Sequence, residues 1–380
     1  NKLALKMNMG PIEFKKKNLI HEGDYMPAYH GETANSCTLE KCLDKVKEMI
    51  NWDEKYPCKD LGNGKVRSVG LAVAMQGSAI SHVDVASVTI KVNDDGFYSM
   101  MIGATDMGTG CDTILAQMAA DCLDTHVDNI VVYGVDTDIS PYDSGSYASS
   151  TTYLTGNATI KTCQMLREKI IAAGAEMLEI DIEDADFDGE KVYSVKEEKS
   201  ITLKDIANNV MCYSNHTLTA TAKEKTPVSP PPYMAGAVEI ELDKETGHVE
   251  IIDYAACVDC GTVINPALAT VQTEGGLVQG IGMALYEDVQ YDKRGRILND
   301  SFMQYKIPTR LDMGKIRVEY ESSYEPSGPF GAKSIGELVI NTPSPALCHA
   351  IYNASGVWIN ELPMTSEKIA MGILKNNLEA

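Results

Sequence analysis

The residues best placed to do chemistry lie late in the chain, at 331–337: Gly-Ala-Lys-Ser-Ile-Gly-Glu. Glycines at 331 and 336 allow positive φ and close backbone approach to a ligand. Glu337 closes the loop and is followed by an apolar run, Leu338-Val339-Ile340. A carboxyl group set against apolar neighbours holds its proton more tightly, which suits a general base working near neutral pH. A solvated Glu on a surface turn fits the same seven residues, so the rest of the chain has to decide.

Three further stretches are small, polar and placed at expected helix starts: 108–113, 146–151 and 259–265. Helix N-termini and runs of backbone N–H groups bind phosphate and other anions without Lys or Arg. Three such loops and the Glu337 loop point to a large, phosphate-bearing cofactor with a carboxylate aimed at its reactive end. A P-loop is excluded, because Ala332 precedes Lys333-Ser334 where the phosphate cradle needs glycine. Gly108-Thr109-Gly110 also fails the dinucleotide fingerprint, whose third glycine would fall at Thr113. Cys257-Val258-Asp259-Cys260 is the only C-x-x-C and has no second pair with which to complete a zinc site. The seven His are isolated in sequence.

The elements that must position these residues read as a mixed α+β architecture rather than a doubly wound parallel sheet. Leu39, Leu43, Val46 and Ile50 recur at helical spacing after Thr38. A polar connection follows through 60–64, placing a boundary near residue 63. Strands are expected at 68–75, 88–92 and 98–102, the last two joined by an Asn93-Asp94-Asp95-Gly96 turn. Asp112 can cap a helix with Ile114, Leu115, Met118, Ala119 and Cys122 on its buried face. A strand at 130–133 and a long helix over 157–178 come next. Pro227 to Pro232 marks a connection between lobes. The second lobe starts with a hairpin, 237–242 and 249–254, and Asn265-Pro266 opens a helix carrying Gly275, Gly276, Gly280 and Gly282. Each interior glycine costs a helix about 1 kcal/mol relative to Ala, so another backbone or a cofactor should pack closely there.

Bulk properties narrow the class. Lys and Arg total 33 against 54 Asp and Glu, a formal charge of −21, which repels nucleic acid. No apolar run approaches the roughly 18–20 residues that span a bilayer, and ten scattered cysteines do not form a disulfide framework. The expected location is cytoplasmic. The chain opens without Met inside a helical pattern and reads like a fold entered partway.

Several of these motifs, in order, resemble the molybdenum hydroxylases, the family of xanthine dehydrogenase, nicotinate dehydrogenase and aldehyde oxidoreductase. Gly10-Pro11-Ile12-Glu13-Phe14-Lys15 through Gly23-Asp24 is similar to that family's D-P-x-E-F-R segment. Thr105-Asp106-Met107-Gly108-Thr109-Gly110 resembles its T-E-M-G-Q-G loop, with Thr109 in place of Gln. Tyr147-Ala148-Ser149-Ser150-Thr151 and Asp259-Cys260-Gly261 through Asn265 resemble two further cofactor loops, and Gln279-Gly280-Ile281-Gly282 resembles the glycine helix. Gly328-Pro329-Phe330-Gly331-Ala332-Lys333-Ser334-Ile335-Gly336-Glu337 is similar to G-P-x-G-x-K-x-x-G-E, whose Glu is the catalytic base.

The resemblance implies two interlocked sheet/helix lobes of a molybdopterin-binding subunit: 63–226, and 227–380 with the Glu337 loop. Residues 1–62 would complete an upstream or partner molybdopterin domain. It implies molybdenum held through the dithiolene of a pterin in the cytosine dinucleotide form, with a terminal sulfido or selenido ligand and no direct protein ligand. Met107, Gly108, Thr109, Gly110, Thr113, Tyr147 to Thr151, Asp259, Cys260, Gly261, Asn265, Gln279, Lys333, Ser334, Ile335 and Gly336 would bind the cofactor. The implied reaction is hydroxylation of an electron-poor carbon of a purine- or nicotinate-type N-heteroaromatic. Electrons would pass to [2Fe-2S] and FAD on partner chains, and a second molybdopterin half-subunit would complete the site. Aldehyde oxidation, carbon monoxide or aryl-CoA chemistry, or a non-catalytic cofactor cage, are the alternatives on the same fold.

Overall fold

A computed structural model describes residues 1–379. The chain divides into two compact units, one of 1–76, 231–324 and 335–380, the other of 77–230 and 325–334.

The first unit is built on a five-stranded sheet in the order Lys315–Tyr320, Val249–Asp259, Tyr233–Asp243, Lys65–Met75, Cys58–Gly62. Its first two strands are parallel and the remaining pairs antiparallel. Side chains alternate across a strand. Met234, Val238 and Ile240 therefore enter one core with Leu277, Ile281 and Leu347, while Ala235 and Ala237 enter another with Cys42, Leu43 and Val46. Helices Pro266–Leu285 and Pro343–Ser355 cover the first face and helix Leu39–Met49 the second. Gly70 lets helix Pro343–Ser355 lie directly on the sheet, since a Cβ at that position would fall 2.2 Å from the Ala346 carbonyl oxygen.

The second unit holds a four-stranded sheet in the order Thr219–Lys225, Val85–Val92, Tyr98–Ile102, Ile130–Tyr133. The Asn93 to Gly96 turn closes the hairpin as expected, with Gly96 at φ 88° and the Asn93 amide donating to the Phe97 carbonyl at 2.8 Å. Tyr98–Ile102 and Ile130–Tyr133 run parallel. Such a pair needs a crossover connection, and helix Cys111–Cys122 provides it. Helix Gly156–Leu178 packs on the sheet, where the buried Thr162 hydroxyl donates to the Val88 carbonyl. A small sheet of Ala185–Phe187, Lys191–Ser194 and Ser200–Thr202 and helix Leu203–Tyr213 complete the unit.

The α+β class and most elements match expectation, and three local readings do not. Residues 60–64 are not a connection: Cys58–Gly62 is an edge strand exposed along its whole length, so it carries no apolar alternation to read. Asp112 does not cap the helix that follows; Gly110 holds that position at φ 77°, and the capping carboxylate is Asp106. The units are also not the consecutive blocks 1–62, 63–226 and 227–380. The strand Lys65–Met75 pairs with Tyr233–Asp243, so the N-terminal segment belongs to the same unit as the second lobe. Among the described residues no helix is long and apolar enough to cross a membrane.

Candidate active site

In the second unit, loop 105–110 leaves strand Tyr98–Ile102 and leads into helix Cys111–Cys122. Asp106 folds the loop on itself. Its Oδ1 accepts from the Gly108 and Gly110 amides at 2.9 and 3.1 Å, and its Oδ2 from the Asp112 amide at 3.4 Å. Those three donors are thereby satisfied within the loop, leaving its exposed tip, Met107-Gly108, to face outward. Gly108, at φ 101°, has nothing within 4 Å of where a Cβ would stand. Burial and the neighbouring Asp106 raise the Asp112 carboxyl above its usual range, and burial pushes the Cys111 thiol up to about 12.

Loop 143–150 lies against it. Ser146 joins the two: its Oγ accepts from the Thr105 amide at 3.1 Å and lies 3.2 Å from the Thr105 carbonyl, to which it can donate. The Tyr147 hydroxyl donates to the fully buried Asp84 at 2.7 Å, an interaction that raises the Tyr147 pKa. Ala148 and Ser149 follow, both left-handed at φ 51° and 53°. Two successive non-glycine residues in that region store strain, which persists only where surrounding contacts over-determine the backbone. The contacts are present. The Ala79 amide donates to the Ala148 carbonyl at 3.0 Å, and the Ser229 hydroxyl to the Ala79 carbonyl at 2.6 Å.

The same buried network captures the start of the Glu337 loop. The Ser334 amide donates to Ser78 Oγ at 3.0 Å, and Ser334 Oγ accepts from the Tyr153 amide at 3.1 Å. Lys333 is 2% exposed, so it is a core residue of this unit rather than a surface cation. Gly331, Phe330 and Gly336 all take positive φ, as the glycine spacing requires of two of them. The second unit thus brings Met107 to Thr113, Tyr147 to Thr151 and Lys333-Ser334 into one hydrogen-bonded assembly.

Ile335, Gly336 and Glu337 belong to the first unit. Gln272, on helix Pro266–Leu285, donates its Nε2–H to the Gly336 carbonyl at 2.9 Å. Immediately after Glu337, Leu338 and Val339 are buried at 0% and 1% exposure. Gly276 makes room for them: a Cβ there would sit 2.1 Å from Val339 Cγ2. Gly280 likewise lies against Pro343 and the Ile340 carbonyl, and Gly282 against Glu287, whereas Gly275 faces open space. Three of the four helix glycines therefore serve chain packing. Glu337 itself is exposed, because its apolar neighbours turn into the core and away from the carboxylate. The apolar surroundings expected from the sequence do not enclose it on this chain.

Of the remaining sequence-predicted positions of this unit, Asp259, Cys260, Gly261 and Asn265 lead into the start of the same helix, whereas Gln279 lies more than three turns along it. The Asn265 side chain caps it, accepting from the Leu268 amide at 3.1 Å, and Gln279 is exposed on it. Asp259 is fully buried and accepts from the Thr38 and Gly261 amides and the Ser323 hydroxyl. Cys260 is 3% exposed in the apolar core, on the opposite face of the sheet from Cys257, so C-x-x-C is not a thiol pair. Ser78, Ser229 and Gln272 were missed by sequence reasoning, and Asp106 and Ser146 were read only as members of their loops, without the bonding roles the structure gives them. Only Asp106 carried a signal, an Asp two and four residues ahead of glycines.

A family model of the molybdopterin cofactor-binding domain matches residues 45–314. The chain belongs to the molybdopterin-binding part of the molybdenum hydroxylase family. This molybdopterin-binding chain is 33% identical to Probable hypoxanthine oxidase XdhD of Escherichia coli strain K12, over 98% of its own length and 40% of that protein. It is 31% identical to the xanthine dehydrogenase molybdenum-binding subunit of E. coli O157:H7, over 96% and 50%. It therefore spans half or less of these curated relatives. Its fold matches quinoline 2-oxidoreductase from Pseudomonas putida 86 with a TM-score of 0.88 at 24% identity, covering 98% of this chain and 50% of that one. The residues present suit molybdopterin. The exposed tip Met107-Gly108, with open space where a Gly108 Cβ would stand, lets a flat, polar ligand come close to the chain, while Asp106 and the Ala79 amide hold the loop backbones around it in fixed shape.

Proposed function

We propose that this chain is the molybdopterin-binding half of an enzyme that hydroxylates an electron-poor carbon of a purine- or nicotinate-type N-heteroaromatic, with water as the oxygen source. Glu337 is its general base. The observation that carries this reading is the treatment of Glu337. Its carboxylate is exposed, yet the residues on either side are fixed by the Gln272 bond to Gly336 and by burial of Leu338 and Val339. A surface Glu without a task needs no such support, whereas a proton acceptor has to be held in place.

The residues that would hold molybdopterin are Met107 to Gly110 with Thr113, Tyr147 to Thr151, Lys333 to Gly336, the segment from Asp259 through Gly261 to Asn265, and Gln279. Several act through their backbone or by fixing loops: Asp259, Cys260 and Lys333 are buried and shape the chain around them. When bound, the cofactor supplies the two-electron redox chemistry, in the cytosine dinucleotide form with a sulfido or selenido ligand. Glu337 accepts a proton at its carboxylate oxygens, and the Gln272 bond to Gly336 holds that carboxylate in place. [2Fe-2S] and FAD on partner chains receive the electrons, and a second molybdopterin half completes the enclosure of Glu337. The names of the two E. coli relatives support the purine class.

Metal and nucleotide analysis of the native complex, joined to substrate assays, tests this. The reading predicts molybdenum and a cytosine nucleotide in equal amounts with this chain. It also predicts turnover of xanthine or nicotinate with oxygen incorporated from labelled water. Turnover confined to aldehydes, carbon monoxide or an aryl-CoA would replace the substrate assignment, and absence of molybdenum would end it.

A further inference from the structure

Between helix Pro266–Leu285 and strand Lys315–Tyr320 the chain makes an excursion over 287–313 with no helix and only one isolated strand bridge, Tyr291 with Ile297. Loops this long inside a compact unit are uncommon and usually have a function. This one is ordered by its own bonds. Asp292 accepts from the Arg294 and Arg296 amides, and Asn299 ties Gln290 to Asp288. The Tyr305 hydroxyl donates to Glu287 at 2.6 Å, and Thr309 is held by Asp312.

On this fixed backbone the large apolar side chains point outward: Phe302 is 81% exposed, Met303 84% and Leu311 96%, with Tyr291 and Leu298 beside them in sequence order at 61% and 55%. Five large apolar side chains this exposed along one short stretch of internally bonded chain point to an interaction surface rather than ordinary surface scatter. The charge pattern agrees. The excursion holds five acidic and five basic residues and is neutral, in a chain carrying −21. A second copy of so acidic a chain is a poor occupant, since its long-range field opposes approach.

We propose that residues 287–313 are the docking surface for the polypeptide that corresponds to the half of the curated relatives this chain does not span. The first such relatives extend over about twice or more the matched length. A polypeptide of that size that completes the same subunit would bury an apolar ordered arm as a core would. The inference rests on the proposed reading of the chain as half of a molybdopterin-binding subunit.

The test uses the native complex purified through a tag on this chain. Hydrogen exchange over 287–313 and zero-length cross-linking from Lys293 and Lys306 are read by mass spectrometry. Protection of the excursion at least tenfold above the same chain alone is expected, with cross-links to the polypeptide homologous to the unmatched half. The triple variant Phe302→Ser, Met303→Ser, Leu311→Ser should lose that protection by the same factor while its own melting temperature stays within about 2 °C, because the three side chains are exposed. Cross-links to a second copy of this chain, or protection unchanged in the variant, overturn the surface but leave the functional reading standing. Failure of the functional reading shows separately, as a complex that lacks molybdenum.

Discussion

Gly275 and Gly276 are adjacent on helix Pro266–Leu285, yet the structure assigns them opposite costs when a methyl group is added. At Gly275 nothing lies within 4 Å of the new Cβ, so Gly275→Ala removes the penalty of a helical glycine without a clash. The gain is about 0.5–1 kcal/mol, partly through the unfolded chain. At Gly276 the new Cβ would meet Val339 Cγ2 at 2.1 Å, inside any real contact distance. Val339 is 1% exposed and branched at Cβ, so it has neither space nor a spare rotamer to move into. Overpacking of this kind costs roughly 1–3 kcal/mol, which outweighs the same propensity gain. Calorimetry should therefore show Gly275→Ala melting a few degrees higher and Gly276→Ala a few degrees lower, at about 2–4 °C per kcal/mol for a unit of this size. Adding Val339→Ala should rescue Gly276→Ala, with a coupling energy of about 1–2 kcal/mol in the double-mutant cycle. Equal shifts for the two glycine variants, or coupling near zero, would refute the claim that Gly276 exists to seat the segment behind Glu337.

Other consequences are open to the same kind of measurement. Ser146→Ala should loosen loop 105–110 from loop 143–150, lowering stability by about 1 kcal/mol for the bonds lost and reducing molybdenum content in the purified protein. Gln272→Leu should lower kcat several-fold with KM and metal content unchanged, and rescue by Gln272→Asn is not expected because the shorter side chain cannot reach Gly336. His349 is 1% exposed, its Nδ1 accepts from the Leu71 amide, and its Nε2 has no partner; burial holds its pKa down at about 3. The folded state keeps it neutral while the unfolded chain protonates it below the usual 6.5. Its contribution is thus complete above pH 6.5 and is lost progressively as pH falls toward 3. Urea unfolding at pH 7 and pH 5 should differ by about 2 kcal/mol from this group, and His349→Phe should remove that part of the slope.

Much of this was legible in the sequence where the determinant is local. The Asn93 to Gly96 turn, the Asn265 cap and the periodic face of helix Leu39–Met49 need only neighbours along the chain. The glycine helix was legible as a demand for close packing, though not what would pack there: Val339 and Pro343 come from more than sixty residues away. Strand Cys58–Gly62 was invisible because an edge strand exposed throughout has no apolar alternation. The division into units was hidden for a related reason. Pairing of Lys65–Met75 with Tyr233–Asp243 joins segments whose sequences say nothing about each other. At the site, stretches 108–113 and 146–151 could be picked out by composition. Their union through Ser146, and the buried chain of serine hydrogen bonds that fixes Ala148 and Ser334, depend on side-chain contacts between distant segments. Glu337 was found from its glycines, but its exposure was not, because Leu338 and Val339 turn away from it.

The base assignment is tested most directly by Glu337→Gln in the complete enzyme, with kcat and molybdenum content measured on the same preparation. Removing a positioned general base while keeping shape and hydrogen bonding should cost at least 10²–10⁴ in kcat. The account predicts that loss with molybdenum at the wild-type level. Near-normal turnover at wild-type molybdenum content would contradict it.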